Sequence, residues 1–358
     1  MVKTKNKPTH RALLKAERDA RHAASMAALT YINSDSEGIT REKRGKSFLY
    51  YVGRKQVRDK QQLERIRKLA IPPSWKNVWI CKSPNGHIQA TGTDLRDRKQ
   101  YRYHNKWNAL RNETKFHKLY EFGKTLPKLR KKIRSDMKSK ELSRDKVLAT
   151  AINLMDKTYI RIGNYGYEKM NGSYGLTTLK DKHVKFLNGS VSFSFTGKKG
   201  IDHSIKLKDR KLASIIKQCR DIPGKTLFQY YDDEGTQHPI DSGMVNSYIK
   251  EATSQEFSAK DFRTWAGSLQ AVEYFRENPD LSEREDKKKA TVEMINAVSE
   301  KLGNTAAVCK KYYIHPQLIS LCEEGKITPD LLKSKRKRGT ESFAQSEDIL
   351  MCILKKCI

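Results

Sequence analysis

Cysteine is sparse and scattered. There are six in 358 residues, and no two stand in a CxxC spacing, which argues against a zinc ribbon or a thiol redox pair. No HExxH motif, paired Cys/His spacing or acidic cluster is present, so no metal site is expected. A GxxxxGK[ST] phosphate loop is missing, and so is a GxSxG elbow; neither ATP chemistry nor serine hydrolysis is indicated. No apolar run reaches the about 18 residues that a membrane span needs, and the N-terminus lacks a secretory h-region. A basic amphipathic helix with an aromatic apolar face is also lacking, so a membrane is not the expected partner. The expected setting is cytoplasmic and reduced.

Negative charge is the other shortage. Forty-one Asp and Glu face 72 Lys and Arg, a net charge of +31. An excess of that size points to a polyanionic partner, and nucleic acid is the expected one; a cytoplasmic, nucleoid-associated location follows. Hydrophobic residues still make up 37% of the chain, enough to bury real cores, and the length suits two or three domains.

The first 34 residues read as a basic arm that turns helical. From there the pattern is β-rich: Ser47 to Gly53 is a strand by its aromatic and β-branched content. A hairpin is expected around Pro84-Asn85-Gly86. The run RKQYRYH, Arg98 to His104, interleaves basic, amide and aromatic residues. A buried strand would not look like this. A strand lying on nucleic acid would, with Gln100 suited to base edges, Tyr101 and Tyr103 beside it, and Arg and Lys holding phosphates; the competing reading is a solvated edge strand. A very basic helical segment follows from 105 to about 140, with the domain boundary expected near 105–115.

Leu142 to Ile160 is the clearest helix, with Val147, Leu148, Ala151, Ile152, Met155 and Tyr159 on one face. It runs into RIGN, which puts Arg161 at the helix end or in the next turn. Two turn signals, Asn188-Gly189 and Gly197 to Gly200, with alternating Val191, Phe193 and Phe195 between them, predict three antiparallel strands with Lys198 at a glycine-bounded tip. The remainder is helical, with Asp241 and Ser282 as expected N-caps. The expected fold class is α+β: a small β-rich N-terminal domain and a mainly α-helical second domain carrying a three-stranded β-hairpin sheet. The expected divisions are 1–34, arm; 35–110, β-rich domain; 111–332, helical domain; 333–358, basic linker and tail with a short amphipathic helix.

With metal and nucleotide motifs missing and basic residues and tyrosines abundant, phosphoryl chemistry narrows to a covalent route with a side-chain nucleophile. A phenol is only about 0.1% ionised at neutral pH, and its anion is repelled by an anionic diester. Fixed cations around the phosphate solve both problems. Arginine suits this by its permanent charge and forked donors, and a lysine can protonate the leaving oxygen. The set to look for is one Tyr, two Arg, one Lys and a further hydrogen-bond donor.

Six motifs in order, QATGTDLRDRKQYRYH, DKTYIRIGN, YGLTTLKDKHVKF, FTGKKG, KDFRTWAG and LGNTAAVCKKYYIHP, resemble the type IB DNA topoisomerases of the small, poxvirus-like kind in their bacterial form. The resemblance spans roughly residues 35 to 330. It implies a catalytic core shared with tyrosine recombinases, and catalysis by Arg161, Lys198, Arg263, Asn304 and the nucleophile Tyr313. Lys199 is the local competitor of Lys198, and Tyr312 is a structural neighbour. Gln100, Tyr101, Tyr103, Tyr167 and Lys260 are the expected DNA contacts. The chain departs from the viral pattern, which has His where Asn304 stands; an amide cannot act as an acid, so Asn304 is expected to hydrogen-bond a non-bridging oxygen and leave acid catalysis to Lys198. The implied partner is double-stranded DNA, clamped by a monomer without cofactor. Two rivals remain. A tyrosine recombinase would show HxxR and TxxY where KDFRTW and KKYYIHP stand. A non-catalytic nucleic-acid-binding protein would be indifferent to loss of Tyr313.

Overall fold

The computed structural model describes residues 8–333 and 342–357, which fall into two compact units divided between Lys118 and Leu119. The chain is α+β. In the first unit, helices α1 (His10–Arg18) and α2 (Ala20–Met26) are followed by strands β1 (Ile39–Arg44), β2 (Ser47–Val52) and β3 (Lys55–Gln56). Helix α3 (Lys60–Lys68), strands β4 (Lys76–Ile80), β5 (Ile88–Thr93) and β6 (Lys99–Tyr103), and the start of the long helix α4 (Asn105–Asp136) complete it. The six strands form one antiparallel sheet in the order β3-β2-β1-β4-β5-β6, so RKQYRYH lies on an edge. Ile39, Val78, Ile80 and Ala90 from the sheet close over Ile66 of α3. Alternation of side chains along the strands puts these apolar residues on one face. Within the segment expected as a basic arm, α1 and α2 bury Leu13, Ala16, Ala23 and Ala24 in a cluster with Trp107 and Leu110 of α4.

The second unit begins within α4. Helix α5 (Arg144–Thr158) comes next, then α6 (Tyr165–Asn171) and strands β7 (Val184–Leu187), β8 (Ser190–Thr196) and β9 (Asp202–Lys208). These strands form the expected antiparallel sheet with β8 in the middle. After α7 (Arg210–Asp221), a small hairpin pairs β10 (Gln229–Tyr231) with β11 (Gln237–Pro239). Helices α8 (Ser242–Thr253), α9 (Ala259–Glu277), α10 (Lys287–Leu302), α11 (Ala306–Tyr312), α12 (Pro316–Glu323) and α13 (Ser342–Lys355) follow.

Helix α5 is more central than an amphipathic stripe predicts. Besides the expected apolar face, it buries Lys146, Ala149, Thr150 and Leu154. Tyr159 falls beyond the helix as its left-handed cap, φ 60°. Asp241 caps α8 as expected, but the N-cap of α10 is Asp286, whose side chain accepts from the Lys289 amide. Ser282 instead ends a short 3-10 turn that starts at Pro279: the proline breaks the periodic pattern and sets that turn before the helix begins. Of the expected basic linker, Ser334 to Gly339 lie outside the described residues. Helix α13 starts well before the expected tail helix and buries Ile349, Leu350, Ile353 and Leu354.

Candidate active site

Helix α9 organises the site. Arg263 is on its second turn and only 6% exposed. Its Nη2 donates to the Leu302 carbonyl at 2.8 Å and its Nη1 to the Tyr159 carbonyl. One turn on, Gly267 leaves a notch: a Cβ there would lie 2.7 Å from the Cβ and the carbonyl oxygen of Tyr313. Ser268 Oγ donates to that carbonyl at 3.2 Å and accepts from the His315 amide at 3.0 Å. KDFRTWAGS is thus a single helical segment that offers a cation and grips the backbone of the tyrosine segment. Tyr313 itself caps α11, half-buried, with the Arg263 guanidinium 5.2 Å from its ring centroid. Tyr312 is 41% exposed and has Lys311 over its ring. Geometry therefore separates two tyrosines that composition cannot.

Arg161 arrives from the other side. After the Tyr159 cap the chain turns sharply, and Gly163 (φ +87°) packs on Gly175, where a Cβ would stand 2.6 Å from the Arg161 carbonyl. This close backbone approach is why RIGN and YGL need their glycines. Arg161 Nη2 donates to the Gly303 carbonyl at 3.0 Å and to Asn304 Oδ1. Gly303 is the left-handed cap of α10, which turns Asn304 toward the arginine.

The electrostatics are unusual. Burial, then the neighbouring Arg263, push Arg161 down to about 10. Burial also lowers Arg263, opposed by the Tyr313 phenol. Among the described residues neither guanidinium has a carboxylate partner; both are held by carbonyl and amide oxygens. Arg263 Nε and Asn304 Nδ2 are buried donors with no partner there. Buried polar groups are nearly always satisfied, so two orphaned donors beside two uncompensated cations describe a site for an oxyanion. Cys309 is close by, but burial pushes its thiol up to about 11. It stays protonated at neutral pH, which leaves the phenol as the candidate nucleophile.

Lys198 is exposed at the β8–β9 tip, as expected of a glycine-bounded turn, and so is Lys199, with φ +66°. Among the described residues, Lys198 makes no hydrogen bond or ion pair. The structure thus brings Arg161, Arg263, Asn304 and Tyr313 together and leaves Lys198 on the neighbouring hairpin. His203 is the residue that sequence reasoning missed. Its pKa is lowered by burial and then by Arg161 and Arg263, against a smaller opposing effect of Asp202. Nothing in GIDHSIKL marks it, because it reads as one more residue of a polar strand.

The other expected contacts lie on β6 in the first unit and on α6 and α9 in the second. On β6, Tyr101 and Tyr103 are exposed and stacked, with ring centroids 5.8 Å apart. Gln100 lies on the opposite pleat, where its amide donates to Asp94 at 2.9 Å. Strand alternation puts it on the other face from the tyrosines. Tyr167 is exposed on α6, and Lys260 is exposed in the first turn of α9. Among the described residues no group of three or more His, Cys, Asp or Glu gathers as a metal site.

The family model described as eukaryotic DNA topoisomerase I, catalytic core, matches residues 104–335, and the one described as bacterial DNA topoisomerase IB, N-terminal domain, matches residues 47–94. The DNA topoisomerase 1B of Acanthamoeba polyphaga mimivirus is 35% identical over 287 residues, 78% of this chain and 85% of the relative. The DNA topoisomerase 1B of Vaccinia virus (strain Copenhagen) is 22% identical over 236 residues, 65% of this chain and 72% of the relative. The first match covers both arginines, the hairpin and the tyrosine segment together, and with those relatives it shows that the chain belongs to the type IB DNA topoisomerases.

Proposed function

We propose that this enzyme, a type I isomerase acting on DNA, relaxes positive and negative supercoils through a covalent bond to Tyr313. The phenolic oxygen attacks a backbone phosphorus; the P–O bond to tyrosine forms as the bond to the 5′ oxygen breaks. Lys198 delivers a proton to the departing oxygen. The products are a 3′-phosphotyrosine and a free 5′-hydroxyl, and the phenol's own proton passes to water. Rotation about the intact strand then releases torsion. Religation reverses each step, and since the tyrosyl ester conserves the energy of the diester, neither ATP nor an obligatory metal or cofactor is called for.

The observation that carries this reading is a pair of arginines without a carboxylate, Arg263 buried and Arg161 half-buried, set around Tyr313 with unpartnered donors at Arg263 Nε and Asn304 Nδ2. Arg161 and Arg263 take the phosphate oxygens, and Asn304 donates to a non-bridging oxygen. Arg161, Lys198, Arg263, Asn304 and Tyr313 all stand in one compact unit of one chain, which supports a monomer. Tyr101, Tyr103, Tyr167 and Lys260 are exposed where DNA can reach them, and Gln100 is proposed to join them on exchanging Asp94 for a base edge. The free cysteines fit a reduced cytoplasm, and the net charge fits work on the nucleoid.

The test is Tyr313→Phe on a supercoiled plasmid that carries no recombination site, without ATP or magnesium. DNA binding should persist while relaxation and covalent trapping disappear. Relaxation by the mutant at the wild-type rate would refute the assignment.

A further inference from the structure

We propose that His203 is a positioning residue for protonation of the leaving oxygen: its ring is a wedge that sets the Lys198 turn against the Gly303–Asn304 loop. The proposal rests on the reading of Lys198 as the proton donor.

Three contacts define the wedge. On β9, His203 is paired across the sheet with Phe195 of β8, and the two rings stack at 4.9 Å and 17°. On one side the imidazole meets Gly197, the residue before Lys198; a Cβ there would stand 2.7 Å from ring atoms Cδ2 and Nε2. On the other side it meets Gly303, the residue before Asn304; a Cβ there would stand 2.6 Å from Cε1. Each glycine thus forms a notch for the same ring. The hairpin tip is closed by the Gly197 amide on the Ile201 carbonyl at 2.7 Å and the Gly200 amide on the Gly197 carbonyl at 3.1 Å, and the end of β8 is tied to the segment before Gly175 by the Tyr174 amide on the Thr196 carbonyl at 2.9 Å. Those bonds shape the turn and anchor its β8 side, but none of them reaches the Gly303–Asn304 loop. The wedge does, because the same ring meets the residue before Lys198 and the residue before Asn304. A flat ring held by stacking suits this task, since stacked aromatic pairs have a defined geometry and few rotamers. Burial beside Arg161 and Arg263 also favours the neutral ring, which adds no third cation to the site.

A displaced proton donor has a recognisable signature. If the bridging 5′ oxygen of the scissile phosphate is replaced by sulfur, the leaving group is a thiolate, which departs without a proton. We therefore expect His203→Ala to slow single-turnover cleavage of an ordinary duplex oligonucleotide by about 10- to 100-fold, the scale of a small misplacement in an active site. The sulfur-containing duplex should be cleaved at close to the wild-type rate. Gly197→Ala should show the same pattern. Its backbone (φ −94°) accepts alanine, so its effect comes through the new methyl pressing on the ring, with the hairpin itself retained. Lys198→Ala should be rescued by sulfur too, whereas Arg263→Ala should remain slow on both duplexes.

If His203→Ala and Gly197→Ala slow both duplexes equally, or slow neither, the wedge is refuted. If Lys198→Ala itself is not rescued by sulfur, it is the reading of Lys198 as the acid that fails.

Discussion

At Asn304 the two ends of one amide have different tasks. Its Oδ1 accepts from Arg161 while its Nδ2 is buried with no partner among the described residues. That polarity follows from the arginine, which only donates. The nitrogen is left as the donor for the phosphate contact proposed above, a role that involves no proton transfer. Asn304→Ala should lower single-turnover cleavage by about 10²-fold, the scale of losing one donor to a developing oxyanion. Asn304→His should retain much of the activity, because an imidazole N–H also donates. Cleavage by the alanine variant at the wild-type rate would show that Nδ2 does not touch the phosphate.

Helix α13 shows the same dependence among elements. It lies beyond the matched catalytic core, which ends at residue 335, yet it packs against α9 and reaches the helix that carries Arg263. Glu347 accepts from both Nη atoms of Arg130 at 2.8 Å and from Trp265 Nε1 at 3.3 Å, and Trp265 is two residues past Arg263. Arg130 also pairs with Asp156 of α5 at 2.8 Å. Burial alone would lower the Arg130 pKa, but Asp156 and Glu347 outweigh it and raise it. At Gly123 of α4 a Cβ would stand 2.4 Å from Met351 Sδ of α13 and 2.6 Å from the Trp265 ring, so α4, α9 and α13 meet without room for another methyl. Glu347→Ala should destabilise the second unit by about 2 kcal/mol, the range for hydrogen bonds to a charged group, read as a lower midpoint in urea. An unchanged midpoint would mean that α13 contributes nothing to that unit in solution.

Across the whole molecule, the histidines give stability a pH dependence of definite sign. Burial lowers the pKa of His87, His104, His117, His183 and His203 below the ordinary value. The unfolded chain therefore binds more protons than the folded one once the pH falls through about 6.5, the free imidazole value. The stability held above that pH is lost as the pH falls toward 5, before carboxylates such as Asp94, held at about 2 chiefly by Arg98, begin to titrate. Added positive charge on a chain already at +31 acts in the same direction. Thermal midpoints measured at fixed ionic strength should fall from pH 7 to pH 5; a flat or rising midpoint would contradict this.

The α+β class, a strand at RKQYRYH, the three-stranded sheet and the order of the motifs were legible in the sequence, because each is written in local residue patterns; that RKQYRYH is an edge strand came from the sheet order. The chemical types at the site were legible too, since a phosphodiester demands cations and a nucleophile whatever the fold. Tertiary structure alone decided the rest. It put Arg161 on Asn304 across 143 residues of chain and Arg263 on the Tyr159 carbonyl across 104. It set Gly267 under Tyr313, turned Gln100 to the face away from Tyr101, and placed His203 between two glycines. No local period encodes such contacts: they arise where separate elements close on a shared core, and burial there fixes which charges go without partners.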